Sequence, residues 1–383
     1  MVVEWLSNDG KNTLGHVSVL ELEGNKTTGP HHALTNRDYQ AIRNINDEEH
    51  LLTNSLTAAG EALSYATFQN IGTDANVTDA LTKRIENRIV SNTINLAYTR
   101  IPSSYDINGI RVPTEDRVSV LKASALVGAQ LDAGVSAVVP PLPNGLSSIP
   151  IFKRIMQRTT SEIELFDKDK EIVGLIPAMS KNLDKIPQIV KEYVKNDVRV
   201  FAMDFSGAAL PRSFIRTTVR AIRESLKIKK DNEPQEKHYY LHAFNTSVNM
   251  KSSLPVTPVA DILTHAYSVD STSSVMWGGG ELEFEKLRYY NIGDYGAYRI
   301  GKLDDYSNVK VPFALPQDDP VEAYNRLRAH RIIDYAQDCK TTISQKIGSN
   351  TPNSDYAAYL LSKPRTVNQV QNILTDVEEI KAV

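Results

Sequence analysis

The clearest periodicity lies in the centre of the chain, where short apolar runs alternate with amphipathic helical stretches. Residues 136–141, 171–177, 198–204, 238–244 and 273–277 read as strands. Helical patterns over 114–133, 148–160, 183–195, 211–228 and 256–267 stand between and before them, and Gly134 is a suitable C′ residue for the first. Strands alternating with helices, one pair per roughly 30 residues, are the signature of parallel βαβ units. Each strand is a short apolar run, as a sheet covered on both faces requires.

The flanks are less regular. Residues 14–23 alternate as a half-buried strand, with Gly24 and Asn25 supplying a turn. From Asn36 to Gly72 the chain is polar, with helical spacing of Ile42, Ile45, Leu51 and Leu52. Residues 76–97 also read as helix, with Thr78 or Asp79 as its cap. Residues 101–113 form a Pro/Gly-punctuated loop, and Lys227–Lys237 a charged exposed one. A Tyr-rich segment (Tyr289, Tyr290, Tyr295, Tyr298, Tyr306), a basic helix over 320–347, a linker at 349–355 and a helix over 366–380 complete the chain. No Gly-x-Gly-x-x-Gly joins any strand to its helix, and acidic residues following Gly278–Gly280 would repel a phosphate. A closed (β/α)₈ TIM-type barrel therefore fits better than a Rossmann sheet. It is expected over residues 1–348, with an elaborated N-terminal third, and a linker and helix over 349–383.

Composition narrows the function classes. The chain has 383 residues, 41% of them hydrophobic, which suffices for one large core. Its 43 basic and 46 acidic residues leave a formal charge of −3, against a uniformly basic surface though not against a local patch. The single cysteine, Cys339, excludes an intrachain disulfide and any Cys-based metal cage, and it reads as a buried, inert thiol. Glu4 and the missing apolar h-region argue against a signal peptide, and no run is long enough to span a membrane. The expectation is a cytoplasmic protein without membrane contact.

In a barrel of this type, chemistry gathers where strands end. Asp204 closes the apolar strand 198–204, so its carboxylate should sit at the barrel mouth as a base or a recognition group, unless it only caps the next turn. Asp270 with Ser273, and His242 with Asn245, are the other strand-associated polar groups. A lone strand histidine is more often packed than catalytic. His31 and His32 are neighbours in an extended segment, so they point opposite ways and should not share a metal. His238, His242 and His265 lack ligand spacing, so neither metal nor cofactor is expected. Arg212, Arg216, Arg220 and Arg223 share one helix face and could meet phosphates, as could a second group, Arg326, Arg328, His330 and Arg331. The plainer reading is a solvated face with acidic partners such as Glu224.

In order and spacing these segments resemble the tRNA-guanine transglycosylase superfamily, whose members exchange guanine for a 7-deazaguanine in nucleic acid. Residues 15–30 resemble the family's opening hairpin, and Tyr65–Gln69 its Asp-Ser-Gly-Gly-Phe-Gln loop. Residues 171–177 resemble its Gly-Leu/Ile-Gln-Gly strand, and residues 200–207 lie at its Ala-Ile-Gly-Gly strand. Residues 239–274 look like the strand, helix and Asp-Ser element that carries the nucleophile, and 326–343 like the terminal barrel helix. The departures are chemical. The family's two catalytic aspartates fall on Ser64 and Ser273, its strand-end glutamine on Pro177, and its zinc cysteines are absent.

The resemblance implies base exchange or base recognition in tRNA or DNA. Asp270 matches the family's earlier, non-nucleophilic aspartate, so the chemistry would need displaced aspartates, with Asp270 as the nucleophile and Asp204 as the base or recognition group. Phe68 and Gln69 with His242 and Asn245 would form the base pocket, and the 212–223 arginines the phosphate contacts. The alternative is a non-catalytic relative, a binding or assembly subunit, with the tyrosines of 289–306 facing a partner protein or a second copy. An aldolase-type barrel would need a strand-end lysine, and none of the five strands has one.

Overall fold

The computed structural model describes residues 1–8, 12–43, 56–166, 169–178, 182–227, 238–247, 254–276, 282–348 and 355–382. Ile45, Leu51, Leu52, Gly278–Gly280, most of the 227–237 loop and most of the 349–355 linker lie outside them.

An antiparallel sheet begins the chain, made of β1 (Val2–Asn8), β2 (His16–Leu22) and β3 (Asn25–Gly29). The barrel strands follow as β4 (His31–Ala33), β5 (Leu56–Ala62), β6 (Ile94–Arg100), β9 (Ala137–Val138), β10 (Glu171–Ile176), β11 (Val200–Asp204), β12 (Tyr240–Thr246) and β14 (Ser271–Ser274). Between them lie a hairpin of β7 (Ser104–Ile107) and β8 (Ile110–Pro113), and the short β13 (Val256–Pro258). All barrel pairs are parallel, in the order β4-β14-β12-β11-β10-β9-β6-β5. A parallel bridge from Leu34 to Thr57, with Leu34 N–H donating to Leu56 O at 3.0 Å, joins the two ends. The (β/α)₈ barrel is closed.

The expected strands of the centre appear, with 273–277 shifted to β14. The N-terminal third required correction. Residues 76–97 are not one helix but a helix over Ala75–Glu86, capped by Asp74, and then strand β6. Leu56–Ala62 is a strand inside the span read as helical, and the 101–113 loop is the β7–β8 hairpin. β5 is dominated by small residues and carries little period-two signal, so pairing on both sides decides its state. β6 instead alternates Ile94, Leu96 and Tyr98 with Asn95, Ala97 and Thr99, a strand pattern that the helical reading of 76–97 overran. Residues 256–267 form β13 and a 3₁₀ helix over Ile262–Tyr267 instead of an α-helix, interrupted by Pro258.

Two ends of the barrel are thereby defined. The N-terminal sheet closes the amino end, where Gly29 lies so near Asp270 that a Cβ there would stand 2.8 Å from the Asp270 carbonyl oxygen. The carboxyl end is open. Within the barrel, the rings of Tyr98 (β6) and Phe244 (β12) stack at 4.9 Å although their strands are not neighbours, so both point inward.

The C-terminal elements belong to the same body. The helix over Pro320–Asp338 packs on β4 and is pinned by Arg328, whose Nε donates to Asp38 Oδ1 at 2.6 Å with both residues buried. Burial opposes the Asp38 charge, but Arg328 and His32 outweigh it and hold the carboxyl well below the usual range. Arg328→Ala leaves that carboxylate without its cation and is expected to cost about 3–5 kcal/mol in urea unfolding at neutral pH; a change under 1 kcal/mol would count against the pin. The helix over Val367–Lys381 buries Val370, Ile373, Val377 and Ile380 in the main core. Tyr289, Tyr290, Tyr295 and Tyr298 lie on β15 (Arg288–Asn291), in the turn after it and on β16 (Gly296–Arg299), and all four are buried. These four form internal packing and not the partner surface expected of them, while Tyr306, the fifth tyrosine of the segment, is half-buried.

Candidate functional site

The open end holds a cavity of about 380 Å³ whose lining includes Arg100, Ser103, Asn144, Asp204, Ser206 and Phe214. Arg100 ends β6 and Asp204 ends β11, while Asn144 follows β9. Arg100 Nη2 donates to Ser206 Oγ at 2.7 Å, which fixes the guanidinium at the rim.

Asp204 is the floor of this cavity and is 1% exposed. Its Oδ2 accepts from Tyr98 OH at 2.8 Å and from Asn144 Nδ2 at 3.1 Å. Its Oδ1 accepts from Asn245 Nδ2 at 2.7 Å and from the Ser206 N–H at 2.8 Å. A carboxylate offers about four acceptor sites, so these four bonds fill it. Two of the donors, Ser206 (φ 51°) and Asn245 (φ 57°), are in the left-handed region that side chains disfavour. Asp204 therefore holds strained backbone in place at the mouth, a pattern associated with functional sites. Burial, then the Asp204 charge, pushes the Tyr98 hydroxyl well above the ordinary phenol range, so it stays a donor.

Asp204 and Asn245 thus meet at the mouth, as expected. Asp270 does not join them. It lies at the amino end, where its backbone N–H donates to Leu241 O, three residues before Phe244, the register partner of Asp204. That offset is about 10 Å along the strands. Its carboxylate turns to the N-terminal sheet, accepting from Ser18 Oγ and, at 2.7 Å, from the Leu241 N–H. His16 Nε2 approaches the carboxylate to 2.7 Å without hydrogen-bond alignment. A carboxylate sealed under this sheet is a structural anchor, which corrects its expected place at the mouth as a nucleophile.

His242 is fully buried inside the barrel, with Nδ1 2.7 Å from Ser271 Oγ and Nε2 3.2 Å from Ser273 Oγ. Burial keeps its pKa well below the ordinary value, so the ring is neutral. Phe68 packs on Tyr105, and the carbonyl of Gln69 accepts from Lys122 Nζ at 2.7 Å; neither lines the mouth cavity. Ser64 caps the next helix, its Oγ accepting from the Thr67 N–H at 3.2 Å.

The arginine stripe has protein partners. Arg212 grips Asp376 with Nε and Nη2 at 2.8 and 2.9 Å, and Arg216 reaches Asp376 and Glu379. Arg220 pairs with Glu224 at 2.7 Å. The C-terminal helix occupies the face expected to meet phosphates, an arrangement invisible in a sequence where Arg212 and Asp376 are 164 positions apart. Cys339 is buried, and burial pushes its thiol pKa up. Among the described residues no group of three or more His, Cys, Asp or Glu could hold a metal, and no helix is long and apolar enough to cross a membrane.

Sequence reasoning missed Tyr98, Arg100 and Asn144. The first two sit on β6, read in part as helix; a strand reading of 94–100 would have placed Arg100 at a strand end.

No family model matches the chain, and no curated protein matches it. Solved structures with a similar arrangement include a Rhizobium etli pyruvate carboxylase T882A at 12% identity, matched over 90% of this chain and 32% of that one, with a TM-score of 0.35. The carboxyl transferase domain of the same enzyme with pyruvate matches at 11% identity over 92% of this chain and 54% of that one, with a TM-score of 0.34. The chain spans about a third of the first and about half of the second.

Proposed function

We propose that this protein is a non-catalytic barrel that works by binding at its open mouth, as a binding or assembly subunit related in layout to the base-exchanging barrels. The observation that carries the reading is the state of Asp204. It is the one carboxylate among the described residues lining the mouth cavity, and its acceptor sites are filled by four protein donors. Base exchange through a covalent intermediate needs a carboxylate at the anomeric carbon and a second group to move protons. A filled Asp204 supplies neither, and Asp270 stands at the other end of the barrel. Arg100, Ser103 and Ser206, with the aromatic walls of Phe205 and Phe214, leave the mouth suited to holding a polar group against an apolar surface.

The test is incorporation of labelled guanine into tRNA and into duplex DNA by the purified protein. Counts at background for both polymers are expected. Incorporation above background that disappears in Asp270→Ala or Asp204→Asn would overturn the proposal.

A further inference from the structure

We infer that the N-terminal strand is held by an acid-released latch: Trp5, clasped between His238 and His16 at the closed end of the barrel, lets go when His238 takes up a proton. Two hydrogen bonds run from Trp5 to the start of β12 and not to its own sheet. The Trp5 backbone N–H donates to His238 Nδ1 at 2.9 Å, and the indole Nε1 donates to Tyr239 O at 2.9 Å. The indole is stacked between imidazoles, 4.0 Å from His16 and 4.9 Å from His238, with Tyr239 edge-on at 5.2 Å.

The geometry fixes the protonation state. An Nδ1 that accepts an N–H carries no proton, so His238 is the neutral Nε2–H tautomer. A second proton can go only onto Nδ1, where it would face the Trp5 amide donor to donor. The bond is then lost, and an edge-strand amide is left unpartnered. Imidazolium against the indole face gains a cation–π attraction, but that keeps the ring stacked and so keeps the two donors opposed.

The charged surroundings of His238 point the same way. Burial holds its pKa below the ordinary histidine value, His16 beside it adds to that effect, and Glu4 on β1 opposes it. His16 faces the latch from β2 and is in contact with Asp270, and Tyr239 faces it from the barrel. The neutral latch is thus fully closed above about pH 6.5 and opens as the pH falls through the lowered pKa of His238. Opening loosens the outer side of this edge strand, which stays paired with β2 from Val2 opposite Glu21 to Asn8 opposite His16 and tied at Met1 to Glu171. The strand carries Val2 and Leu6, both solvent-facing already.

The chain has two tryptophans, so Trp277→Phe leaves Trp5 as the fluorescence reporter. In that background, Trp5 emission and amide exchange over residues 2–8 are followed from pH 7.5 to 4.5, with far-UV circular dichroism recording the barrel. Emission should change below pH 6.5 while the dichroism is still native, and exchange at residues 2–8, corrected for its intrinsic pH dependence, should rise about tenfold. His238→Gln keeps an acceptor that does not titrate and should abolish both changes. Coincidence of the emission change with loss of dichroism overturns the latch without any change at His238, as does an unaltered midpoint in His238→Gln.

Discussion

Asp204→Asn is expected to destabilise the protein by about 3–5 kcal/mol in urea unfolding at pH 7, although it changes one atom. The four donors converge in two pairs, Tyr98 and Asn144 on Oδ2, Asn245 and the Ser206 N–H on Oδ1. An amide can offer an oxygen to one pair only, and its NH₂ then faces two donors from the other. Asp204→Ala orphans all four and should be at least as costly. The loss should be local as well as global, because Ser206 and Asn245 keep their left-handed backbone against an intrinsic preference for other regions. A group that served only as catalytic base would behave oppositely, since its removal commonly leaves stability unchanged or improved. A stability change below 1 kcal/mol in Asp204→Asn would show that the carboxylate is not the mouth's structural hub.

Acid should weaken the fold well above the usual carboxylate range. Burial holds His31 down to a pKa of about 3, helped by His265 and His32 and opposed by the Thr28 carbonyl. Burial holds His265 to about 4, opposed by its bond to the Val269 carbonyl and by Asp270 and Asp261. His242 is shifted in the same direction. A lowered folded pKa means that the stabilising state is the neutral one. The contribution is complete above the unfolded value near 6.5 and is lost as the pH falls, because only the unfolded chain can take the proton. At pH 5 each of His31 and His265 has given up about 2 kcal/mol, and His242 adds to the loss. A combined loss of about 4 kcal/mol or more is a large part of a typical stability of about 5–15 kcal/mol. Urea midpoints measured at pH 7 and pH 5 should therefore differ strongly, and His265→Gln should flatten the dependence; equal midpoints would exclude the mechanism.

The acid-released strand and this global effect are separable. His238 sits outside the barrel wall against β1, so its titration reports at residues 2–8, whereas His242 is enclosed within the barrel and reports on the whole. His238→Gln should remove the first signal and leave most of the second.

What the sequence by itself determined is the barrel and one end of its site. Strands β9 to β11 are apolar runs followed by amphipathic helices, so local periodicity and the demand for burial on both faces agree, and Asp204 is marked by being the one acid that closes such a run. β12 is followed by a 3₁₀ helix instead, and β14 is the polar run Ser271–Ser274. β5 was not legible, because its run of small residues carries little alternation. The alternation of Ile94, Leu96 and Tyr98 in β6 was obscured by the adjoining helix, and Thr57 meets Asn95 only across the two strands. The tertiary structure alone decided the rest. A strand-terminal acid and an acid one residue before a strand look alike in sequence, but a parallel barrel sends one to the open mouth and the other to the closed floor, which separates Asp204 from Asp270. Four arginines on one helix face look like a phosphate track until Asp376 and Glu379 reach two of them from the far end of the chain. Hydrogen-bond capacity works the same way: whether a carboxylate can act on a ligand depends on how many donors the fold has already aimed at it, and those donors come from four separate parts of the chain.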